Sequence, residues 1–348
     1  MENEKQIKRR KRVSMSDVAK DAGVSVTTVS HVINRTATIS RETAKRVNES
    51  VIRLAYEPLP GSSFKRGQRL IAVFIPDLGN EFYAKSVQSI FNTAWRSRYG
   101  IVVCDLQHTL QAESNYLKNF IQQGVSGVIF FGGTANIEMQ ILQTSKVIPV
   151  VLGDMHIPDG LRSRVDAVCT DNELVMEQIV TRFVKAGYRK FGYISEDFLL
   201  ANTKDRFNGY KLGLAQNGIE FNKTWLWVSQ SLRLNKTVSA YTFFSKILSQ
   251  KQPLPEIIFC TSDLIAIGVM SAMKQHDINV PKDIGVVGFD NISLSEYCEP
   301  RLTTVAQNME KIGSTCCSLL LERIAQPNLP TREETVKAKL VLRDSVRM

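Results

Sequence analysis

From Ile71 onward the sequence repeats one pattern: a short unbroken apolar run, a stretch with helical spacing, then another run. The runs are IAVFI, GIVVCD, VSGVIFF, IPVVL, DAVCTD, KFGYIS, EIIFCTSD and IGVVGFD. A strand with one wet face alternates apolar and polar residues, whereas strands that are apolar on both faces belong to a parallel sheet covered on both sides. The helical stretches between them then serve as right-handed crossovers. About 275 residues is roughly twice one doubly wound unit, which predicts two doubly wound lobes with a cleft between them.

Ligands of open parallel sheets bind beyond the carboxyl ends of the strands. The polar residues that end the runs are therefore the candidates for binding: Asp77 to Tyr83, Asp154, Asp171, Asn172, Asp263, Asp290 and Asn291. Asp171, Asp263 and Asn291 each precede a helical segment, where capping is the competing role. Arg206, in KDRFNGY, opens a helix without an evident packing reason, and a plain surface cation is its alternative reading.

Ahead of this pattern stands AGVSVTTVSHVIN, rich in β-branched residues yet periodic as a helix. At 100° per residue Thr28, Val29, Val32 and Ile33 share one arc, while Val26, Thr27, Ser30, His31 and Asn34 share the other. Ser25 is placed to cap this helix, and Gly23 to end the one before it, SMSDVAKDAG, whose Ser14 and Asp17 stand at capping-box spacing. A third helix capped by Ser40 would carry Ala44, Val47, Val51 and Leu54 on one face. Three short helices with a tight Gly-containing turn predict a helix-turn-helix domain.

The charge agrees with that reading. Residues 1–69 hold 15 Lys or Arg against 7 Asp or Glu, and the rest of the chain holds 29 against 27. Nearly all of the net +10 thus lies beside the helix-turn-helix, including KRRKR from Lys8 to Arg12. Such placement points to a polyanion partner, although a basic run can equally be a solvated arm. No stretch reaches about 18 apolar residues and the first residues lack an apolar signal run, which predicts a cytoplasmic protein without membrane contact.

Enzyme chemistry finds little support. The sequence has no G-x-x-x-x-G-K-[ST], G-x-G-x-x-G, H-E-x-x-H or G-x-S-x-G. Four scattered histidines and six cysteines without Cys-x-x-Cys spacing point to no metal cluster and to reduced thiols, so no cofactor is expected. Binding is the expected role of the cleft.

MSDVAKDAGVSVTTVSHVIN, PDLGNEFY, TDNE, RFNGY, VPKDIGVVGFD and PRLTT stand in the order and approximate spacing of the LacI/GalR family of bacterial repressors, which the chain resembles over nearly its whole length. Through FCTSD, GFDNISLSEYCEP and LTTVAQ the likeness runs to the cytidine repressors within that family.

The resemblance implies an α/β chain whose helix-turn-helix precedes a two-lobed, periplasmic-binding-protein-like effector domain of Rossmann-like lobes. It also implies a homodimer on a near-palindromic double-stranded operator, with Val26, Thr27 and His31 reading bases and Ser25, Thr28, Asn34 and Arg35 holding phosphates. It implies an effector held by Asp290, Arg206, Phe82, Tyr83, Asp154 and Ser262, with a nucleoside such as cytidine expected and a purine or sugar as the alternative. The domains expected are residues 1–59 for the basic arm and helix-turn-helix, 60–70 for a hinge linker, and 71–348 for effector binding and dimerisation. Family linkers insert a Leu into the minor groove. Here Pro60 and Gly61 interrupt that segment, which leaves Leu59 or Phe64 as substitutes. From another class, a solute-binding protein would share the two-lobed fold.

Overall fold

The computed structural model describes residues 13–34, 37–54, 56, 69–106, 117, 119–132, 138–198 and 200–348. The chain divides into two compact units, Met1–Gln68 and Arg69–Met348.

In the first unit, α1 (Met15–Ala22), α2 (Val26–Asn34) and α3 (Arg41–Arg53) close around Val18, Ala19, Ala22, Val29, Val47 and Tyr56. The start of α1 is fixed by a complete capping box between Ser14 and Asp17. Its end is fixed by Gly23 at φ 64°, a left-handed conformation that costs a glycine nothing. Ser40 caps α3 by accepting a hydrogen bond from the Thr43 N–H. Buried between α1 and α3, the Ser50 hydroxyl donates to Asp21, which also accepts from Arg53 Nη2 at 2.6 Å.

The second unit contains two sheets. One has the strand order β11-β5-β4-β3-β1-β2 and is wholly parallel: β1 (Leu70–Ile75), β2 (Gly100–Asp105), β3 (Gly127–Phe131), β4 (Val150–Gly153), β5 (Asp166–Thr170) and β11 (Glu333–Val336). The other has the order β12-β10-β9-β8-β6-β7: β6 (Phe191–Ser195), β7 (Leu226–Val228), β8 (Ile257–Cys260), β9 (Gly285–Asp290), β10 (Thr303–Ala306) and β12 (Lys339–Val341), of which β12 alone runs antiparallel. All eight apolar runs are strands. The chain passes between the lobes three times: after β5, after β10 and between β11 and β12.

Close helix packing sets the positions of the cleft residues. The helix Ala201–Gln216 lies on the helix Asn172–Lys185 so tightly that a Cβ at Gly209 would stand 2.1 Å from the Glu173 carbonyl oxygen. Gly313 meets the Ser86 carbonyl in the same way, joining the helix Met309–Ala325 to the helix Glu81–Arg96 of the first lobe. Backbone cannot yield as a side chain can, so Gly209→Ala is expected to cost about 1–3 kcal/mol in urea denaturation. Gly160→Ala, where a new Cβ meets nothing within 4 Å, is the neutral control.

Candidate DNA-reading helix and effector cleft

The turn between α1 and α2 places α2 with one face in the core. Val29 is fully buried and Val32 and Ile33 pack beside it, whereas Val26 and Thr27 are exposed and His31 is half-buried. Val29, Val32 and Ile33 thus keep the core side that the wheel gave them and Val26 and Thr27 the open side, whereas Ser30 and His31, put on the open arc, are as half-buried as Thr28. Ser25 Oγ accepts from the Thr28 N–H at 3.0 Å, and the two hydroxyls lie 2.8 Å apart. One hydroxyl hydrogen of that pair stays available to an acceptor such as a phosphate oxygen. Arg35, Leu59, Phe64 and the side chain of Asn34 lie outside the described residues.

In the second unit the strand ends converge on one polar cleft, lined among others by Phe82, Tyr83, Asp154, Arg206, Ser262 and Asp290. All six effector candidates from the sequence therefore lie together. Phe82 and Tyr83, in the first turn of the helix Glu81–Arg96, meet edge to face with ring centroids 5.1 Å apart.

Arg206 is 4% exposed. Its Nε donates to Asn172 Oδ1 at 2.8 Å and its Nη1 to the Thr261 carbonyl at 2.7 Å, while the guanidinium lies 3.7 Å from the centre of the Phe289 ring. Asp290 Oδ1 stands 3.9 Å from Nη1 and accepts from Gln307 Nε2 at 2.9 Å. Gln307 in turn accepts from Thr170 Oγ1 at 2.7 Å, so one amide joins the strand ends of both lobes. Burial pushes the Asp290 carboxyl up to about 7, even though Arg206 and Gln307 pull the other way.

Asp154 Oδ2 accepts from Asn202 Nδ2 at 2.7 Å, and burial raises this carboxyl as well. Its Oδ1 and the Asn202 Oδ1 are buried with no hydrogen-bond partner among the described residues. Glu196 completes the polar lining: burial pushes it up, but the Lys236 ammonium and the Thr261 hydroxyl outweigh that and hold it below its ordinary value. Asp154 (φ 58°) and Asp290 (φ 113°) both stand on positive-φ backbone, a costly conformation for a residue with a side chain and one that clusters at functional sites.

The enclosed volume is about 20 Å³. That admits one water and no ring, so any larger ligand requires the lobes or the lining side chains to move.

Comparison with known proteins decides the family. Residues 14–58 match bacterial regulatory proteins of the lacI family, and residues 180–346 match a periplasmic binding protein-like domain. An HTH-type transcriptional repressor PurR of Aliivibrio fischeri is 30% identical over 96% of this chain and 98% of its own. The chain belongs to the LacI family.

The repressor PurR of Vibrio cholerae is 29% identical over the same shares. Among solved structures, the lac repressor dimer bound to operator and the anti-inducer ONPF superposes with a TM-score of 0.73 at 22% identity, covering 97% of this chain and all of the other. The regulator CelR in complex with cellobiose superposes with a TM-score of 0.70 at 24% identity, over 96% of this chain and all of the other. These neighbours share the LacI fold of a helix-turn-helix with a two-lobed domain. Both of these relatives carry the name PurR, whereas the sequence motifs had pointed to cytidine repressors; the family is shown and the branch within it is not.

Within this LacI-family cleft the remaining candidates take structural roles. Asp171 caps the helix Asn172–Lys185 through the Leu174 N–H. Asp263 does not cap; Ser262 does, so Ser262 both lines the cleft and holds the helix Asp263–Gln275. Asp263 instead ties the strand ends, accepting from Thr304 Oγ1 at 2.5 Å and the Ile292 N–H at 2.9 Å. Asn291 accepts from Arg343 Nη2 at 2.7 Å rather than capping a helix. Asp77 accepts from the Gly79 N–H at 2.7 Å within its own turn.

The sequence reading missed Glu196, Lys236, Asn202 and Gln307. Glu196 follows KFGYIS and satisfies the strand-end rule that found Asp154, so that signal was available. Gln307 follows β10, which was not recognised as a strand, and Lys236 and Asn202 sit in first helical turns that carry no periodic mark.

Proposed function

We propose that this protein is a homodimeric operator-binding repressor whose cleft takes a neutral, hydroxyl-rich ring compound of the nucleoside class. The observation that carries the ligand class is the pair of buried acceptors without donors, Asp154 Oδ1 and Asn202 Oδ1, in one cleft with Asp290. Buried acceptors are stabilised by donors, and adjacent ribose hydroxyls supply donors in pairs. Phe82 and Tyr83 offer the apolar wall against which a base can pack. A purine base is the second reading, favoured by the purine repressors among the relatives.

Since the cleft is smaller than a ring, ligand entry requires the lobes or the lining side chains to shift, and we take the lobes to be the part that moves. A ligand that prefers one arrangement shifts the population toward it and thereby alters operator affinity. Thermal shift with cytidine, other nucleosides, purine bases and sugars tests the ligand class by mass action. Stabilisation by nucleosides is expected. Stabilisation by bases alone moves the reading to a purine, and by sugars alone removes the role of the aromatic wall.

On DNA, Val26, Thr27 and His31 are proposed to read bases from α2, with Val26 packing on a thymine methyl and the other two hydrogen-bonding base edges. His31→Ala is expected to lose about 1–3 kcal/mol of discrimination at one base pair while binding to unrelated DNA is unchanged. Gel shifts on operator and scrambled duplexes measure this. An equal loss on both would remove His31 from base reading.

A further inference from the structure

We propose that His156, Cys169 and Glu333 form a binding site for a borderline-soft divalent cation of the Zn²⁺ type on the outer part of the first lobe. His156 follows β4, Cys169 lies in β5 and Glu333 begins β11, three neighbouring strands of one parallel sheet. Glu333 pairs with Ala167, which puts it on the same sheet face as Cys169 two residues further along.

The three donor atoms lie within 4.8 Å of one another. His156 Nδ1 is 3.4 Å from Cys169 Sγ and 2.6 Å from Glu333 Oε1. Tetrahedral bonding at usual zinc distances separates nitrogen from sulfur by about 3.6 Å and nitrogen from oxygen by about 3.4 Å. The His–Cys spacing therefore already fits, and Glu333 must withdraw by under about 1 Å. Its half-exposed side chain permits this, and its other oxygen is held by the Ile157 N–H at 3.0 Å. A single imidazole nitrogen facing both a carboxylate and a buried thiol is poorly explained as packing. As a donor set, imidazole, thiolate and carboxylate favour Zn²⁺ or Co²⁺ over Mg²⁺ or Ca²⁺.

Access is open. The cluster borders a cleft of about 500 Å³ whose far wall carries Glu173, Glu177 and Asp205, which lower the cost of bringing a cation in. Arg162, the cation in the same cleft, is paired with Asp159 at 2.9 Å. The ligands are dispersed over 178 residues of sequence, so no motif spacing announced them.

Titrating the reduced full-length protein with Co²⁺ tests the site by its visible spectrum. One equivalent per protomer is expected to give tetrahedral bands together with a thiolate charge-transfer band, both bleached by Zn²⁺. Cys169→Ser is expected to abolish the charge-transfer band, and His156→Asn and Glu333→Gln to weaken Co²⁺ binding by about tenfold or more. Because Cys169 is in the core, the two exposed-side variants decide the outcome should Cys169→Ser misfold, with circular dichroism confirming their native fold. Absence of the thiolate band, its survival in Cys169→Ser, or unchanged affinity in both other variants would overturn the site in favour of a simple His156–Glu333 ion pair.

Discussion

Asp166→Ala is expected to lower the unfolding free energy of the two-lobed domain by about 3–5 kcal/mol, the range for removing one partner of a buried ion pair. Asp166 is fully buried and receives Arg323 in a bidentate grip, Nε to Oδ2 at 2.7 Å and Nη2 to Oδ1 at 2.8 Å. Oδ1 also accepts from the Arg332 N–H at 2.7 Å. Arg323 in turn donates to the Leu329 and Pro330 carbonyls at 2.7 and 2.9 Å, which shapes the segment leading into β11. The mutant leaves a buried guanidinium with carbonyl dipoles alone. Against a typical total of about 5–15 kcal/mol, such a loss is readily seen as a lower urea midpoint. Asp166→Asn keeps the shape and acceptor but not the charge, so its cost should be smaller, and a full-sized cost there would assign the effect to charge pairing.

Arg206→Ala is expected to cost about 2–4 kcal/mol at pH 8 and clearly less at pH 5. Its removal leaves Asp290 and Asp154 buried without their cation, and the size of that penalty depends on whether they are ionised. Burial already raises both carboxyls, Asp290 to about 7. A carboxyl raised in the folded state holds its proton there more tightly than when unfolded. Its contribution to stability is then full below the unfolded value near 3.8 and is lost as pH rises through about 7. Without Arg206 both carboxyls rise further, so the variant should converge with the wild type in acid and diverge from it above neutrality. Urea denaturation at the two pH values measures the difference. A pH-independent cost would mean that Arg206 acts through its contacts with Asn172, Thr261 and Phe289 alone.

Much of the fold was legible because parallel strands buried on both faces announce themselves as unbroken apolar runs. The strands that escaped were β7, β10, β11 and β12, short and at sheet edges or lobe crossings. β11, EETV, buries only its last residue. β10, TTVA, buries two threonines whose hydroxyls find partners in Asp263 and the Arg343 N–H, an arrangement that hydrophobicity cannot register. In α2 the period outweighed the propensity because burial of Val29 is a tertiary fact.

For the cleft, reading the polar residue after each run found Asp154 and Asp290 but could not separate them from Asp171 and Asp263, which serve the fold. FCTSD and LTTVAQ, which pointed to cytidine repressors, contain Ser262, Asp263, Thr304 and Gln307, a cap, a strand tie and a lobe bridge. Residues occupied in holding the lobes say more about architecture than about the ligand.

The lining of the cleft has one more consequence. Among the described lining residues three carboxylates, Asp154, Glu196 and Asp290, face two cations; Lys236 pairs with Glu196, and Arg206, bonded to Asn172 and the Thr261 carbonyl, stands 3.9 Å from Asp290. With all three acids ionised, the described lining residues carry one more negative than positive charge, which opposes a phosphate. A neutral compound is therefore expected to bind this cleft more tightly than its phosphate ester, which a thermal-shift comparison of the two would measure.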